Sequence, residues 1–321
     1  MKMSGCDGSL RHPISIFRDR SRDASFIIAL HSLPFTMLKE LQSIDHVFFD
    51  CDGVLWRGSE AIPGATEALR RLRQAGKQLY FITNNSMHTR SALCARMALL
   101  GLTVNEDEIL SSSYLTACFL RDRVPPASLI YCVGSEALLS ELAAVGFNVL
   151  GGPQDDNIQL RPLEHTVPLC DRAAAVVVGF DANFNYAKLA KAQHYLSLLD
   201  CLFVATNNDP TFPARDSGIL PGCGCFVAAV ETASGRKAQI ISKPSPFAFT
   251  LVRALHPEIE PCRCLMVGDR LETDIAFGRA CGMQTLLVET GIHTASDLPN
   301  FPDHLHPDFV ADSVRILLDS D

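Results

Sequence analysis

Several short runs in this chain are apolar at nearly every position rather than at every second one. They are HVFF at 46–49, QLYFIT at 78–83, AAAVVV at 173–178, CLMV at 264–267 and QTLLV at 284–288. A strand with one wet face alternates polar and apolar residues, whereas a strand covered on both faces does not. Helical spacing fills the gaps between them. In PGATEALRRLRQAGK, Pro63 suits a first helical turn, Leu69 and Leu72 share a face, and Gly76 is a stop. HTRSALCARMALLGL and YAKLAKAQHYLSLLD repeat the pattern. Strands of this kind joined by helices predict an α/β chain with a Rossmann-like parallel-sheet core, covered on both faces. With 321 residues, 47% of them hydrophobic, the chain can build one large core or two modest ones.

Composition narrows the partners. The net charge is −8 and no basic block occurs, so nucleic acid and anionic membrane are poor partners. No apolar run is long enough to span a bilayer, and FIIAL at 26–30 lacks the features of a secretory signal. The twelve cysteines are scattered, many inside apolar runs, which fits reduced thiols in a cytoplasmic protein. CGC at 223–225 and CRC at 262–264 have the wrong spacing for a common zinc site and read as small packed residues. Residues 1–40 mix arginine, serine and aspartate without period and read as a poorly ordered leader.

In parallel α/β sheets, ligands bind beyond the carboxyl ends of the strands. Here those ends share a polar character. HVFF runs into Asp50-Cys51-Asp52-Gly53, and QLYFIT ends in Thr83-Asn84-Asn85. QIIS leads to Lys243, while CLMVG leads to Asp269 with Asp274 just beyond. If these strands are neighbours, four acids meet on one rim, and they repel one another unless a cation sits among them. A hard divalent cation with oxygen ligands, Mg2+ above all, suits that rim and leaves room for a phosphate oxygen. Lys243 adds a positive charge. Thr83, Asn84 and Asn85 can donate hydrogen bonds to phosphate oxygens, and a helix starting after Asn85 would aim its free N–H groups the same way. Such a set suits phosphoryl transfer, in which one carboxylate attacks phosphorus and a second moves the proton. Cys51 between the acids reads as a packed core residue.

Together D-C-D-G at 50–53, T-N-N at 83–85, K-P at 243–244 and G-D-R-x-x-T-D at 268–274 resemble the haloacid dehalogenase superfamily of phosphatases. The likeness runs from about residue 41 to the C-terminus. DCDGVLWRG, VVVGFD and AVETASGRKAQIISKPSP are similar to the branch of phosphoglycolate, pyridoxal and p-nitrophenyl phosphatases. The resemblance implies Asp50 as nucleophile and Asp52 as acid/base. It implies Mg2+ held by Asp50, the Asp52 carbonyl and Asp269, with Asp274 orienting that shell, and a phosphoryl group gripped by Thr83, Asn84 and Lys243. It also implies an inserted α/β cap over residues 126–238, with the core formed by 41–125 and 239–321.

The loop ATNNDPTFPARDSGILPG at 205–222 matches the branch's substrate-reading cap loop, with Asn207, Asp209 and Phe212 as the candidate specificity residues. Pyridoxal phosphatases carry histidine where this chain has Phe212. The expected substrate is therefore a small phosphorylated metabolite such as 2-phosphoglycolate, with Arg215 a candidate for its carboxylate. Pyridoxal 5'-phosphate is the alternative, and a non-catalytic phosphometabolite-binding protein is the alternative of another class. An apolar cap edge is compatible with a homodimer.

Overall fold

The structure, a computed structural model, describes residues 42–158, 160, 172–213 and 218–318. The leader at 1–40 and Arg215 lie outside the described residues.

Six parallel strands form the larger sheet, in the order Phe309–Ala311, Gln284–Val288, Cys264–Gly268, His46–Phe49, Gln78–Thr83, Ile109–Ser111. The HVFF strand is central because it can be. Val47, Phe48 and Phe49 are all buried, and their side chains feed both faces. Phe49 packs with Leu69, Leu72 and Val267 on one side, while Phe48 joins Ile82, Phe249 and Met266 on the other. Burying side chains on both faces of a sheet is the main stabilising term, at ~25 cal/mol per Å² of apolar surface removed from water.

A second sheet of five parallel strands runs Gln239–Ile240, Leu202–Ala205, Ala175–Val178, Leu129–Val133, Asn148–Gly151. It is the inserted α/β unit, lying in sequence between two halves of the larger sheet. One apolar cluster connects the two units. It passes from Phe48, Ile82 and Met266 through Leu115 and Phe119 to Leu138, Ile130 and Val177.

The parallel α/β architecture is as the apolar runs predict. The QIIS segment differs. Gln239 and Ile240 pair with Val204 and Ala205 in the second sheet rather than joining the larger one. Lys243 therefore reaches the core rim along the returning linker, not from the end of a neighbouring core strand. A two-residue strand carries too little pattern to assign its sheet from sequence. The helix expected directly after Asn85 also starts later. It spans Arg90–Leu99, capped by Thr89, whose side chain accepts from the Ala92 amide. Its N-terminus is thus displaced along the chain from the polar T-N-N turn.

Candidate active site

Three adjacent strands of the larger sheet deliver the site. Phe49 lies opposite Val267 on one side and Phe81 on the other, so Asp50 and Asp269 follow two neighbouring strands and Thr83 ends the third, in near register. The Asp50 amide continues the ladder by donating to the Val267 carbonyl at 2.9 Å.

Carboxylate oxygens of Asp50, Asp269 and Asp274 lie within 4.8 Å of one another, and all three residues are buried. Asp274 reaches this cluster from beyond the end of the Cys264–Gly268 strand. A π-helical turn over Leu271–Ile275 swings it back toward the strand end, where its Oδ2 accepts from the Asp269 and Arg270 amides at 3.1 and 3.0 Å. Such wide turns recur at functional sites because they re-aim one side chain. Lys243 is also buried. Its Nζ donates to Asp50 Oδ1 and to the Ile82 carbonyl at 3.1 Å, and it pairs with Asp274 at 2.7 Å.

Burial pushes the Asp50 carboxyl well above the ordinary range; Lys243 opposes that shift, while the charges of Asp274 and Asp269 add to it. Burial, followed by the charge of Asp274, pushes Asp269 up to about 7. Burial alone would lower Lys243, but Asp274 and Asp50 outweigh it and raise the ammonium. One lysine among three buried acids leaves excess negative charge in a place where unpaired charge is expensive. An all-oxygen donor set with surplus charge fits a hard divalent cation such as Mg2+. Asp50 and Asp269 could hold it directly, with Asp274 beside them.

The other expected residues fall around this centre. The Asp52 side chain stands apart from the triple cluster. Its Oδ1 accepts from the Trp56 indole N–H at 2.7 Å, which fixes the carboxyl beside the rim. Thr83 is buried, and its Oγ1 accepts from the Asn85 amide at 3.1 Å. Asn85 Oδ1 accepts from the Met87 amide at 2.8 Å, so this oxygen shapes its own turn. Asn84 Nδ2 donates to both carboxylate oxygens of Asp209 at 3.1 Å and to the Lys243 carbonyl at 3.1 Å. Asn207 Nδ2 donates to the Asn84 carbonyl at 2.8 Å. Phe212 packs edge-on against Phe180, with ring centroids 5.3 Å apart. Cys51 is buried in the core, and burial pushes its thiol well up, so it is a packing residue.

Sequence reasoning missed the segment Gly291-Ile292-His293. The Ile292 amide donates to Asp269 Oδ2 at 2.9 Å, and the His293 amide to the Asp269 carbonyl at 3.0 Å. A Cβ on Gly291 would sit 1.6 Å from Asp269 Oδ2. Gly53, at φ +87°, is restricted twice, since its Cβ would stand 2.3 Å from the same oxygen. The signal was present: GIHT follows an apolar strand, at the same rim. Gly291→Ala is expected to displace Asp269 and weaken Mg2+ affinity about 10- to 100-fold. Titrating the metal against activity checks this, and an unchanged requirement would mean that Asp269 is not a ligand.

A family model described as haloacid dehalogenase-like hydrolase matches residues 47–148, and a HAD-hydrolase-like model matches 240–317. Human glycerol-3-phosphate phosphatase is 44% identical over 300 residues, covering 87% of this chain and 91% of its own length. Rat chronophin is 42% identical over 282 residues, covering 85% and 86%. Among solved structures, a glycerol phosphate phosphatase from Mycobacterium tuberculosis in complex with magnesium superposes with a TM-score of 0.74 at 30% identity. It covers 87% of this chain and 77% of that one. A p-nitrophenyl phosphatase from Archaeoglobus fulgidus gives 0.73 at 29% identity, covering 86% and 98%.

Proposed function

The chain belongs to the haloacid dehalogenase-like hydrolases and is a phosphoric monoester hydrolase, and from that premise we propose the roles of its residues and the class of its substrate. Asp50 is the nucleophile. It stands at the carboxyl end of the central strand, bonded to Lys243 and within 4.8 Å of Asp269 and Asp274 oxygens, and this observation carries the proposal. Its carboxylate attacks the phosphorus of a phosphomonoester, and the bond to the leaving oxygen breaks, giving an aspartyl-phosphate. Asp52, oriented by Trp56, donates a proton to the departing alkoxide and then takes one from the attacking water. Lys243, Thr83 and the T-N-N turn hold the phosphoryl oxygens. Asp50, the Asp52 carbonyl and Asp269 would hold Mg2+, which would supply positive charge against the transferring group. Asp274 orients that shell through the backbone amides it accepts and the lysine it pairs with.

The substrate proposed is a small acyclic phosphomonoester. The similarity to glycerol-3-phosphate phosphatase favours glycerol 3-phosphate, with 2-phosphoglycolate next. The likeness to the branch that holds pyridoxal phosphatases keeps pyridoxal 5'-phosphate as the second reading. Against it stands Phe212, whose ring packs on Phe180 and offers no hydrogen bond to a pyridine substituent. We place the enzyme in the cytoplasm. We also propose a homodimer through the cap hairpin, where Ile219 and Leu220 are exposed. No helix among the described residues is long and apolar enough to cross a membrane.

A phosphate-release panel tests this. Glycerol 3-phosphate and 2-phosphoglycolate are expected to turn over faster than pyridoxal 5'-phosphate, EDTA to stop all three, and Mg2+ to restore them. Phe212→His is expected to raise the relative rate on pyridoxal 5'-phosphate. A pyridoxal preference in the parent enzyme, or an unchanged ranking in the variant, would overturn the substrate assignment.

A further inference from the structure

The loop 207–211 of the inserted unit bonds directly to the core rim. Asn207 donates to the Asn84 carbonyl at 2.8 Å, and the Asp209 carboxylate takes the Asn84 side-chain amide with both oxygens at 3.1 Å. Arg270, next to the metal-site acid Asp269, donates to the Thr211 carbonyl at 3.4 Å. The loop therefore touches both the phosphate-gripping turn and the metal-bearing loop. It is braced from behind. The Gly224 amide donates to the Asp209 carbonyl at 2.9 Å and the Gly222 amide to the Pro210 carbonyl at 2.8 Å. A Cβ on Gly222 would stand 2.3 Å from the Asp209 carbonyl oxygen, and one on Gly224 would stand 2.4 Å from that of Asn208. This explains P-G-C-G-C: the glycines let the start of helix Cys223–Ser234 press on the loop. Beside it, the Phe180 amide of the cap donates to Ser86 Oγ of the core at 3.1 Å, and Ser135 Oγ donates to the Ser86 carbonyl at 2.7 Å.

We infer that Asp209 is a positioning residue, not a reader of the leaving group: it latches the closed cap to Asn84 and thereby sets the phosphate-gripping turn. The latch fixes the turn rather than offering the Asn84 amide to phosphate: its Nδ2 hydrogens are taken by Asp209 and the Lys243 carbonyl, so the turn meets phosphate through its backbone N–H groups and Thr83. The inference rests on the phosphatase reading for its kinetic consequence and on geometry alone for its effect on cap closure.

The test uses the full chain with Mg2+ and inorganic phosphate as the probe. Asp209→Ala is expected to weaken phosphate binding about 10- to 100-fold, the usual loss when a hydrogen bond to a charged group is removed. Because both residues act through one contact, Asn84→Ala with Asp209→Ala is expected to bind phosphate no worse than Asn84→Ala alone. Asp209→Asn keeps an acceptor oxygen and is expected to keep most of the affinity. The ranking of esters should not change in any variant, which separates positioning from substrate reading. Amide hydrogen exchange at Phe180 should quicken in Asp209→Ala, a readout that needs no turnover. Multiplying losses in the double variant, an altered ester ranking, or an unchanged Phe180 exchange rate would each overturn the latch. If the parent releases phosphate from no ester, the phosphatase reading fails by itself, and the exchange rate still decides the latch.

Discussion

Replacing Asp50 with Asn is expected to lower phosphate release from p-nitrophenyl phosphate by about 10⁴-fold or more. Asparagine has nearly the same shape but no nucleophilic oxygen, and the lost step has no substitute among the neighbours. Asp269 and Asp274 are tied to backbone amides, and Asp52 is tied to Trp56. The variant should fold. Burial already disfavours the charged form of Asp50, so a neutral side chain costs little there. Lys243 also retains Asp274 and the Ile82 carbonyl. Circular dichroism and a melting curve separate lost chemistry from lost structure. A folded Asp50→Asn protein with near-parental turnover would remove Asp50 from the mechanism.

Lys243→Met should combine the second largest loss of activity with the largest loss of stability. The lysine is buried and pairs with Asp50 and Asp274, which lie within 4.8 Å of each other and of Asp269. Removing one partner of a buried pair typically costs ~3–5 kcal/mol, because the remaining charge is left without compensation. The pH dependence has a definite sign. Without the ammonium, the buried Asp50 carboxyl, already held above the ordinary range by burial, gains most by staying protonated, so its folded-state pKa stands above the unfolded one. The folded variant then binds more protons than the unfolded chain, and its stability falls as pH rises above the ordinary carboxylate range. In EDTA, the melting temperature of Lys243→Met should drop relative to the parent between pH 5 and pH 8. Added Mg2+ should recover part of the difference by supplying the missing positive charge. A gap that narrows as pH rises would contradict this account of the charges.

Much of this arrangement was legible in the chain. The uninterrupted apolar runs mark the parallel sheet, and the rule that ligands gather at carboxyl strand ends marks Asp50, Thr83 and Asp269. Elsewhere the signal was weaker. Asp274 is expected on the same rim, but the π-helical turn that brings its oxygen within reach of Asp50 and Asp269 leaves no mark in the sequence spacing. Lys243 was placed at the right rim by the wrong route, because Gln239–Ile240 is too short to show which sheet it joins. Gly291 and Ile292 carry no charged side chain. Their part is played by a missing Cβ and a backbone amide, neither of which a search for polar motifs detects. Asn207 and Asp209 were selected as loop residues that face a ligand, yet they bond to Asn84. A loop's polarity is visible in sequence, but the surface it turns toward depends on how the two units pack together.

The most direct measurement of the central claim uses Asp52→Asn with p-nitrophenyl phosphate. The nitrophenolate leaving group needs no proton, so the first step should proceed, whereas the second lacks the base that activates water. Rapid mixing should give a burst of one nitrophenolate per chain, followed by slow turnover. Mass spectrometry of the quenched protein should place a single phosphoryl group on Asp50, with neither burst nor adduct in EDTA. A burst with the phosphoryl group on another residue, or unimpaired steady turnover with no adduct, would contradict a mechanism built on Asp50 and Asp52.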